Sequence, residues 1–276
     1  MFSNKSTTED VLEGVDLQGK RILITGVSAG LGVETARALI AHGADVVGLA
    51  RDLDKTARAT AGVAAAAREG DGSFEVRAMD LASLASVRAA TDDLLRDGRP
   101  FDVVINNAGV MTTPYGVTQD GFETQFGVNH LGHFLFANRI ASLIRPGGRL
   151  VILSSSGHRF SDIDLDDPNF ERTPYDSMAA YGYAKTANIL FGVEFDRRHR
   201  DRGVRATSLH PGGIQTELGR YRTPETTERL AKFVADMSRR EEEAGRAPYR
   251  YKTLEQGAAT TVWAAVLAPA DNTKAH

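Results

Sequence analysis

The stretch between Arg21 and Gly32 restricts the possible folds of this chain more than any other part of it. It reads Arg-Ile-Leu-Ile-Thr-Gly-Val-Ser-Ala-Gly-Leu-Gly, so an apolar run typical of a buried strand breaks into closely spaced glycines. Apolar residues then return with the periodicity of a helix. A strand, a glycine-rich turn and a helix in this order indicate a βα unit that binds the phosphates of a dinucleotide.

Each glycine of this turn has a physical reason to be there. Gly26 permits the sharp turn, Gly30 lets the backbone approach a pyrophosphate, and Gly32 lets the start of the helix pack closely. The first turn of the helix then offers unpaired N–H groups to phosphate. A cluster of glycines can also be an ordinary surface turn, but its place between a strand and a helix favours a phosphate loop.

A second pattern, Tyr181-x-x-x-Lys185, places a phenol and an ammonium one helical turn apart on the same face. Such a pair can transfer a proton. The spacing alone also occurs by chance in amphipathic helices, so the pattern gains meaning only from the motifs that precede it.

Taken in order along the chain, these motifs resemble those of the short-chain dehydrogenases/reductases over about residues 20 to 216. The motifs that carry the resemblance are Thr25-Gly26-x-x-x-Gly30-x-Gly32, Asn106-Asn107-Ala108-Gly109, Asn129, Ser155, Tyr181-x-x-x-Lys185 and Pro211-Gly212. Further segments resemble the retinol-dehydrogenase-like and protochlorophyllide-reductase-like branch of that family: 129–136, 170–175, 187–191 and 255–259.

The alternation of apolar runs with longer helical stretches predicts an α/β protein, a doubly wound Rossmann fold with helices on both faces of a parallel sheet of six or seven strands. The predicted strands are 21–25, 45–50, 74–79, 102–106, 149–154 and 204–210. The predicted helices are 31–42, 55–68, 83–96, 122–144 and 179–200. Pro146-Gly147-Gly148 is expected to stop the fourth helix.

The length of 276 residues favours a single catalytic domain, predicted to span 20–276 and to carry a substrate lid around 217–252. Residues 1–19 are polar and acidic and are interpreted as a partly ordered leader. Relatives usually add a final strand after the last helix, and the short C-terminal tail leaves open how the sheet ends.

The balance of charge and the lack of cysteine exclude several classes of protein. A net charge of -3, with both signs interspersed, argues against nucleic acid as a partner. The absence of cysteine excludes disulfides and cysteine-based metal sites. No apolar run reaches the length of a membrane span, and a cytoplasmic location is expected. The resemblance further implies a homodimer or homotetramer formed through the helices that contain Asn129 and Tyr181.

Cofactor choice is expected to depend on Arg51, just after the second predicted strand. A guanidinium there can meet a 2′-phosphate, which favours NADP(H) over the alternative, NAD(H). The other interpretation is a solvated Arg51 beside Asp52 acting as a helix N-cap.

The family resemblance implies a larger set of cofactor-binding positions, which includes an Asp at the adenine edge and a turn that meets the nicotinamide carboxamide. The set is Thr25, Gly26, Ser28, Gly30, Leu31, Gly32, Arg51, Asp80, Leu81, Asn107, Ala108, Gly109, Tyr181, Lys185, Pro211, Gly212, Ile214 and Thr216.

The same resemblance implies four catalytic residues, Asn129, Ser155, Tyr181 and Lys185. Tyr181 is expected to exchange the proton, with Lys185 drawing its pKa down from about 10. Ser155 is expected to bind the reacting oxygen, although Ser154 and Ser156 stand beside it and could instead satisfy backbone groups. Asn129 is expected to hold a water of a proton relay, or else to be a satisfied amide between packed helices.

His130 and His133 stand three residues apart on one predicted helix. They have no acidic companions at ligand spacing, so no metal is expected and both are interpreted as facing solvent or a partner helix.

Together these features predict an NADP(H)-preferring oxidoreductase that interconverts a carbonyl and an alcohol on a lipophilic small molecule. The lipophilic substrate follows from the mixture of apolar and charged residues in 217–252, which suggests amphipathic lid helices over an apolar pocket. The alternatives are a C=C reductase or epimerase on the same fold, and a redox-inert NAD(P)-binding sensor or interaction protein.

Overall fold

A computed structural model describes residues 2–69, 71–245 and 247–269 of the chain. Within them, six parallel strands form one sheet in the order β3-β2-β1-β4-β5-β6. The strands are β1 (Arg21–Thr25), β2 (Asp45–Ala50), β3 (Ser73–Ala78), β4 (Phe101–Asn106), β5 (Ile144–Leu153) and β6 (Arg205–Leu209). The predicted doubly wound fold is confirmed. Residues 270–276, the tail on which the end of the sheet was left open, lie outside the described residues.

Ten α-helices accompany these strands in the described part of the chain. They are α1 (Thr8–Leu12), α2 (Leu31–Ala41), α3 (Leu53–Ala59), α4 (Ala61–Glu69), α5 (Leu84–Asp97), α6 (Thr124–Phe126), α7 (Gly132–Arg139), α8 (Ser177–His199), α9 (Pro224–Glu243) and α10 (Leu254–Val266). None of these helices combines the length and the apolar character that crossing a bilayer requires.

The sheet separates two hydrophobic cores, because alternate residues of a strand point to opposite faces. On β1, Ile22 and Ile24 belong to the core under α2 and α10, whereas Leu23 belongs to the core under α5, α7 and α8. All three side chains are fully buried. A central strand that is buried on both faces reads as a continuous apolar run, which is why the sequence identified it.

The N-terminal segment, interpreted above as a leader, contributes to the first core. Val11 and Leu12 of α1 are buried against the same cluster as α2 and α10. The Thr8 hydroxyl donates a hydrogen bond to the buried Glu34 carboxylate at 2.6 Å. Residues from Thr8 onward therefore pack as part of the domain.

The helix predicted over 122–144 is shorter and interrupted. It consists of α6, a π-helical turn at Gly127–Leu131 and α7, which ends at Arg139. The prediction that Pro146-Gly147-Gly148 stops a helix is wrong, because these residues lie inside β5, whose pairing with β4 shifts register near its start. Gly147 takes a φ of 82°, so the irregularity is built into the strand rather than into a helix end.

Strand order reverses between β1 and β4, which are neighbours in the sheet although β2 and β3 separate them in sequence. In doubly wound sheets the loops that follow such strands diverge and leave a crevice at their carboxyl ends. Thr25 and Asn106, the last residues of β1 and β4, lie at this crevice.

Candidate active site

A cavity of about 490 Å³ opens at the carboxyl ends of the strands. All positions predicted to bind the cofactor line it, from the turn after β1 to Thr216. Ser155, Tyr181 and Lys185 of the predicted catalytic set line the same cavity. Asn129 does not line it and lies one layer deeper, fully buried.

The glycine turn lies against the end of β4 without room for a side chain. Gly26 has a φ of 77°, and a Cβ on it would come within 2.8 Å of Cα of Ala108. A Cβ on Gly32 would overlap the Gly26 carbonyl oxygen and would lie 2.5 Å from the Asn107 side-chain nitrogen. The turn after β1 and the loop after β4 are therefore in direct contact along the floor of the cavity.

A buried hydrogen-bond network fixes this floor. The Thr25 hydroxyl oxygen accepts hydrogen bonds from the backbone N–H groups of Asn107 at 2.9 Å and Ala108 at 3.0 Å. It also lies 2.8 Å from Nε2 of His133, whose Nδ1 lies 3.0 Å from the Asn129 carbonyl oxygen. Since that carbonyl only accepts, Nδ1 carries the proton, and the Thr25 O–H donates to Nε2. Every proton in the network thereby has a single assigned position.

Burial keeps His133 neutral, as this assignment requires. Desolvation lowers the pKa of His133 to about 4, and the hydrogen bond with the Asn129 carbonyl opposes the shift only in part. The expectation that His133 faces solvent or a partner helix is wrong, because its side chain is only 1% exposed. His130 is half-buried and lies 3.1 Å from the Asn188 side-chain oxygen.

Asn129 lies at the centre of the π-helical turn and binds both backbone groups of one residue. Its side-chain oxygen accepts from the Val110 N–H at 2.8 Å, and its side-chain nitrogen donates to the Val110 carbonyl at 2.9 Å. Val110 in turn lines the cavity. Asn129 therefore shapes the wall of the cavity from behind, and π-helical turns of this kind often occur at functional sites.

Tyr181 lies in the wall of the cavity and is only 3% exposed. Of the three adjacent serines, Ser155 is the one near enough to its phenol to lower the pKa of that phenol, and the Ser155 hydroxyl oxygen accepts from the Gly157 N–H at 3.1 Å. The Ser154 hydroxyl instead donates to the Lys185 carbonyl at 2.8 Å. The structure thus separates two roles that the sequence left open.

Burial dominates the acidity of both members of the Tyr181–Lys185 pair. Desolvation raises the pKa of Tyr181, and the Ser155 hydrogen bond and the positive charge of Arg222 oppose that rise. Desolvation also lowers the pKa of Lys185 to about 8. Lys185 is not among the groups that act on the pKa of Tyr181 in this structure, and the expectation that it draws this pKa down stays a prediction.

Lys185 is nevertheless positioned beside the phenol. Its ammonium nitrogen lies 5.7 Å from the centre of the Tyr181 ring and donates to the Leu153 carbonyl at 3.0 Å. A Cβ on Gly109 would come within 3.8 Å of the same nitrogen. The ammonium group thus lies between the phenol and the loop after β4, with two further N–H donors to offer.

The residues expected to determine the preference between NADP(H) and NAD(H) lie at the end of the cavity near β2. Arg51 is exposed at its rim. Asp52 caps α3 by accepting from the Lys55 N–H at 2.8 Å, so the N-cap interpretation of Asp52 is correct. Lys55 forms an ion pair at 2.5 Å with Glu217 across the rim. Asp80 accepts from the Ala82 N–H at 2.9 Å and therefore fixes its own turn.

The segment 217–252 covers the other end. Beyond a 3₁₀ turn at Glu217–Gly219 it forms α9 and then returns to the loop after β6, where the Lys252 N–H donates to the Gly213 carbonyl at 2.9 Å. Several of its side chains line the cavity: Leu218, Tyr221, Arg222, Leu230, Phe233, Val234, Tyr249 and Tyr251. Met237, an apolar residue of the same helix, does not line it. Residue 246 lies outside the described residues.

Two residues of the site escaped the sequence analysis, His133 and Arg222. For His133 a signal existed, because it follows Asn129 by one helical turn and could have been expected to share its buried face. For Arg222 no signal existed. It is one of many charged residues in its segment, and only the folded chain brings it near Tyr181.

Known proteins resemble this chain along most of its length. A family model of the short chain dehydrogenases matches residues 20–227. Human retinol dehydrogenase 14 is 41% identical over 218 residues, which cover 74% of this chain and 65% of the relative. Oxidoreductase calI of Penicillium decumbens is 40% identical over 279 residues, covering 95% of this chain and 77% of the relative. The chain thus spans just under two thirds of the length of the retinol dehydrogenase.

Solved structures share the fold. A crystal structure of an uncharacterized protein from Mycobacterium paratuberculosis superposes with a TM-score of 0.71 at 33% identity, covering 96% of this chain and 82% of the other. A short chain dehydrogenase from Burkholderia cenocepacia, crystallised in complex with NADP, gives a TM-score of 0.68 at 25% identity, covering 92% of each chain.

Proposed function

The chain belongs to the short-chain dehydrogenases, in the retinol-dehydrogenase-like branch, and we propose that it interconverts a carbonyl and an alcohol on a lipophilic small molecule, with NADP(H) as the preferred cofactor. One observation carries the proposal. Tyr181 and Ser155 line the same cavity as the glycine turn after β1. A proton donor and a phosphate loop in one crevice are what hydride transfer to a carbonyl requires.

The residues present fit a dinucleotide. The backbone N–H groups of Leu31 and Gly32 precede the first hydrogen bond of α2, which the Val33 N–H makes with the Gly30 carbonyl at 3.2 Å. They are therefore free to meet phosphate at a helix N-terminus. Since neither Gly26 nor Gly32 has room for a Cβ, the turn keeps a closely packed backbone floor there. The bound nicotinamide would supply or accept the hydride.

The protein's own residues would manage the oxygen and its proton. Ser155 and Tyr181 donate hydrogen bonds to the substrate carbonyl oxygen and hold it at one end of the cavity. Because burial raises its pKa, Tyr181 is protonated at neutral pH and is ready to give its proton to the developing alkoxide. Lys185 would hold the cofactor ribose through its remaining N–H donors, close to the phenol. Asn129 holds Val110 in the adjoining wall.

Tyr181→Phe tests the proposed acid. We expect kcat/KM for carbonyl reduction to fall by about 10²–10⁴, the usual contribution of a general acid, with the Kd for NADPH unchanged. A panel of ketones, aldehydes, alcohols and unsaturated ketones, assayed with each nicotinamide, gives the reference activity. Full activity of the variant would remove Tyr181 from the mechanism. Reduction of C=C bonds alone would favour the first rival function, and NADPH binding without any turnover would favour a sensor.

Arg51 supports the preference for NADP(H), because it is exposed at the rim of the cavity and free to meet a 2′-phosphate. Arg51→Asp is expected to lower the ratio of kcat/KM for NADPH to that for NADH by at least about tenfold, the size of one charge-assisted contact. The matched control is Arg58→Asp, the same change of charge on α3 but outside the cavity lining. An equal effect of both variants would show a general effect of charge.

Self-association through α7 and α8 is also proposed. Phe134, Leu190 and Val193 on these helices are 46%, 56% and 57% exposed, and exposed apolar surface is what an interface between copies would bury. Light scattering on the wild type and on Leu190→Glu tests it. We expect a dimer or tetramer to dissociate in the variant, and a wild-type monomer would contradict the proposal.

A further inference from the structure

Arg222 enters the cavity from the short connection between the 3₁₀ turn at Glu217–Gly219 and α9. Its guanidinium packs on Gly219, where an added Cβ would come within 2.9 Å of both Nε and Cζ of Arg222. Because residue 219 has no side chain, the guanidinium has room to pack there. This contact fixes an otherwise flexible side chain at the wall of the cavity.

The Arg222 side chain has no partner among residues 2–69, 71–245 and 247–269. Its Nε is buried and lacks a hydrogen-bond acceptor. Other arginines of the same segment are paired: Arg220 donates to the Glu217 carbonyl at 3.0 Å, and Arg229 contacts Asp176 at 2.7 Å. A buried donor without a partner destabilises the folded protein, so such a group is expected where a ligand supplies the acceptor.

The position of Arg222 in the cavity separates two classes of ligand. Its positive charge acts on the Tyr181 phenol, where it opposes the effect of burial on the pKa. At the phosphate loop, a Cβ built on Gly30 would have only Thr216 within 4 Å, with Cγ2 at 3.4 Å, and not Arg222. These two observations favour the reacting end of the cavity for Arg222. Leu230 and Phe233 of α9 provide apolar wall at that end.

We propose that Arg222 binds a carboxylate of the substrate, so that the preferred substrates combine an apolar body with an acid group close to the reacting carbonyl or alcohol. This inference rests on the proposed function and narrows its substrate class. A guanidinium suits the purpose because it can bind a carboxylate through two parallel hydrogen bonds. The charge would also hold the reacting oxygen near Tyr181.

The first test compares a medium-chain oxo acid with its methyl ester as substrates for the wild type, Arg222→Met and Arg222→Lys. We expect the wild type to favour the acid by at least about tenfold in kcat/KM. Arg222→Met should lower kcat/KM for the acid at least about tenfold more than kcat/KM for the ester, and Arg222→Lys should retain part of the preference for the acid. The control is Arg239→Met on α9, whose guanidinium is engaged by Asp236 at 3.0 Å and which does not line the cavity.

The second test measures binding without turnover, by calorimetry with decanoate and methyl decanoate. We expect decanoate to bind the wild type more tightly than the ester does, and this difference to disappear in Arg222→Met. Equal loss of acid and ester activity in Arg222→Met would overturn the proposal. So would a raised Kd for both NADPH and NADH, because it would assign Arg222 to the cofactor phosphates.

The two tests also separate the inference from the function on which it rests. Decanoate binding that depends on Arg222, without turnover of any carbonyl or alcohol, would leave the acid site standing and reject the oxidoreductase activity. Turnover of a carbonyl or alcohol without preference for the acid would support the oxidoreductase activity and reject the acid site.

Discussion

The floor of the cavity and the segment that covers its other end differ in how their polar groups are satisfied. In the floor, Thr25, Asn107 and His133 satisfy one another in a buried network, and beside them the Asn106 side-chain amide is buried without a partner in the described residues. In the cover, formed by 217–252, Arg222 keeps a buried donor without a partner in the described residues, and Tyr221 and Tyr251 are 41% and 47% exposed.

This difference teaches what each region is for. A fully satisfied network has one arrangement and loses much if a member is removed, so it suits a shape that must not change, such as the bed for a cofactor. A surface with unsatisfied donors and exposed aromatic rings is less stable but can gain contacts from a ligand. We therefore expect changes in the floor to affect stability and cofactor binding, and changes in the cover to affect substrate choice.

The largest effect is expected from Gly32→Ala in the floor. The new Cβ would overlap the Gly26 carbonyl oxygen and crowd Asn107, so the turn must move. We expect the Kd for NADPH to rise by at least about a hundredfold, on the order of 3 kcal/mol, together with a lower Tm. The matched control is Gly62→Ala in α4, where a Cβ meets nothing within 4 Å and should be neutral or slightly stabilising. Unchanged NADPH binding by Gly32→Ala would contradict the expectation that changes in the floor affect cofactor binding.

A second effect of similar size is expected from the pH dependence of the floor network. Above pH 6.5 His133 is neutral in both the folded and the unfolded chain, and its contribution to stability is complete. As the pH falls from 6.5 to about 4, the unfolded chain takes up a proton that the folded protein refuses, which removes about 3 kcal/mol of stability.

The variant His133→Gln keeps a donor and an acceptor but does not titrate. The difference in free energy of unfolding between wild type and variant should therefore depend on pH. It should be smaller at pH 4 than at pH 7, and the change between the two pH values should be about 3 kcal/mol. Denaturant titrations at several pH values measure this difference. Parallel curves for the two proteins would show that His133 does not titrate as its burial requires.

The smallest effect is expected in the cover. Phe233 contacts Phe160 edge to face, with ring centres 4.8 Å apart, and lines the cavity. Phe233→Ala should raise KM for lipophilic substrates by roughly 3–10-fold, as the loss of one apolar contact of about 1 kcal/mol predicts, and leave the Kd for NADPH unchanged. Leu165→Ala, on an exposed side chain outside the cavity, is the control. If Phe233→Ala raised the Kd for NADPH as much as the KM for the substrate, the cover would not act on substrate binding alone, and the distinction between floor and cover would be wrong.

Much of the fold could be predicted from the sequence because its signals are local. The apolar run of β1, buried on both faces, and the glycine turn after it are contiguous in the chain. The prediction of a helix over 122–144 was less accurate. The π-helical turn around Asn129 accompanies its hydrogen bonds with the Val110 backbone, and local periodicity does not reveal it. Pro146-Gly147-Gly148 was misread because a strand irregularity and a helix end use the same residues.

The candidate site was predictable to the extent that its motifs are short. Tyr181 and Lys185 are joined by helical spacing, and the turn around Gly26 by its position after a strand. The choice among the three serines required the structure, which pairs Ser155 with Tyr181. The shifts in acidity could not be foreseen, because burial rather than the neighbouring charge governs them.

The sequence by itself determined the βα units, the loops that follow the strands and carry the site, and the residues able to transfer a proton. Each of these features depends on residues only a few positions apart in the chain. Only the tertiary structure decided that His133 is buried, that burial lowers the pKa of Lys185 and raises that of Tyr181, and that Arg222 lines the same cavity with a buried, unpaired Nε. These properties depend on desolvation and on the approach of distant segments, and neither is encoded in local spacing.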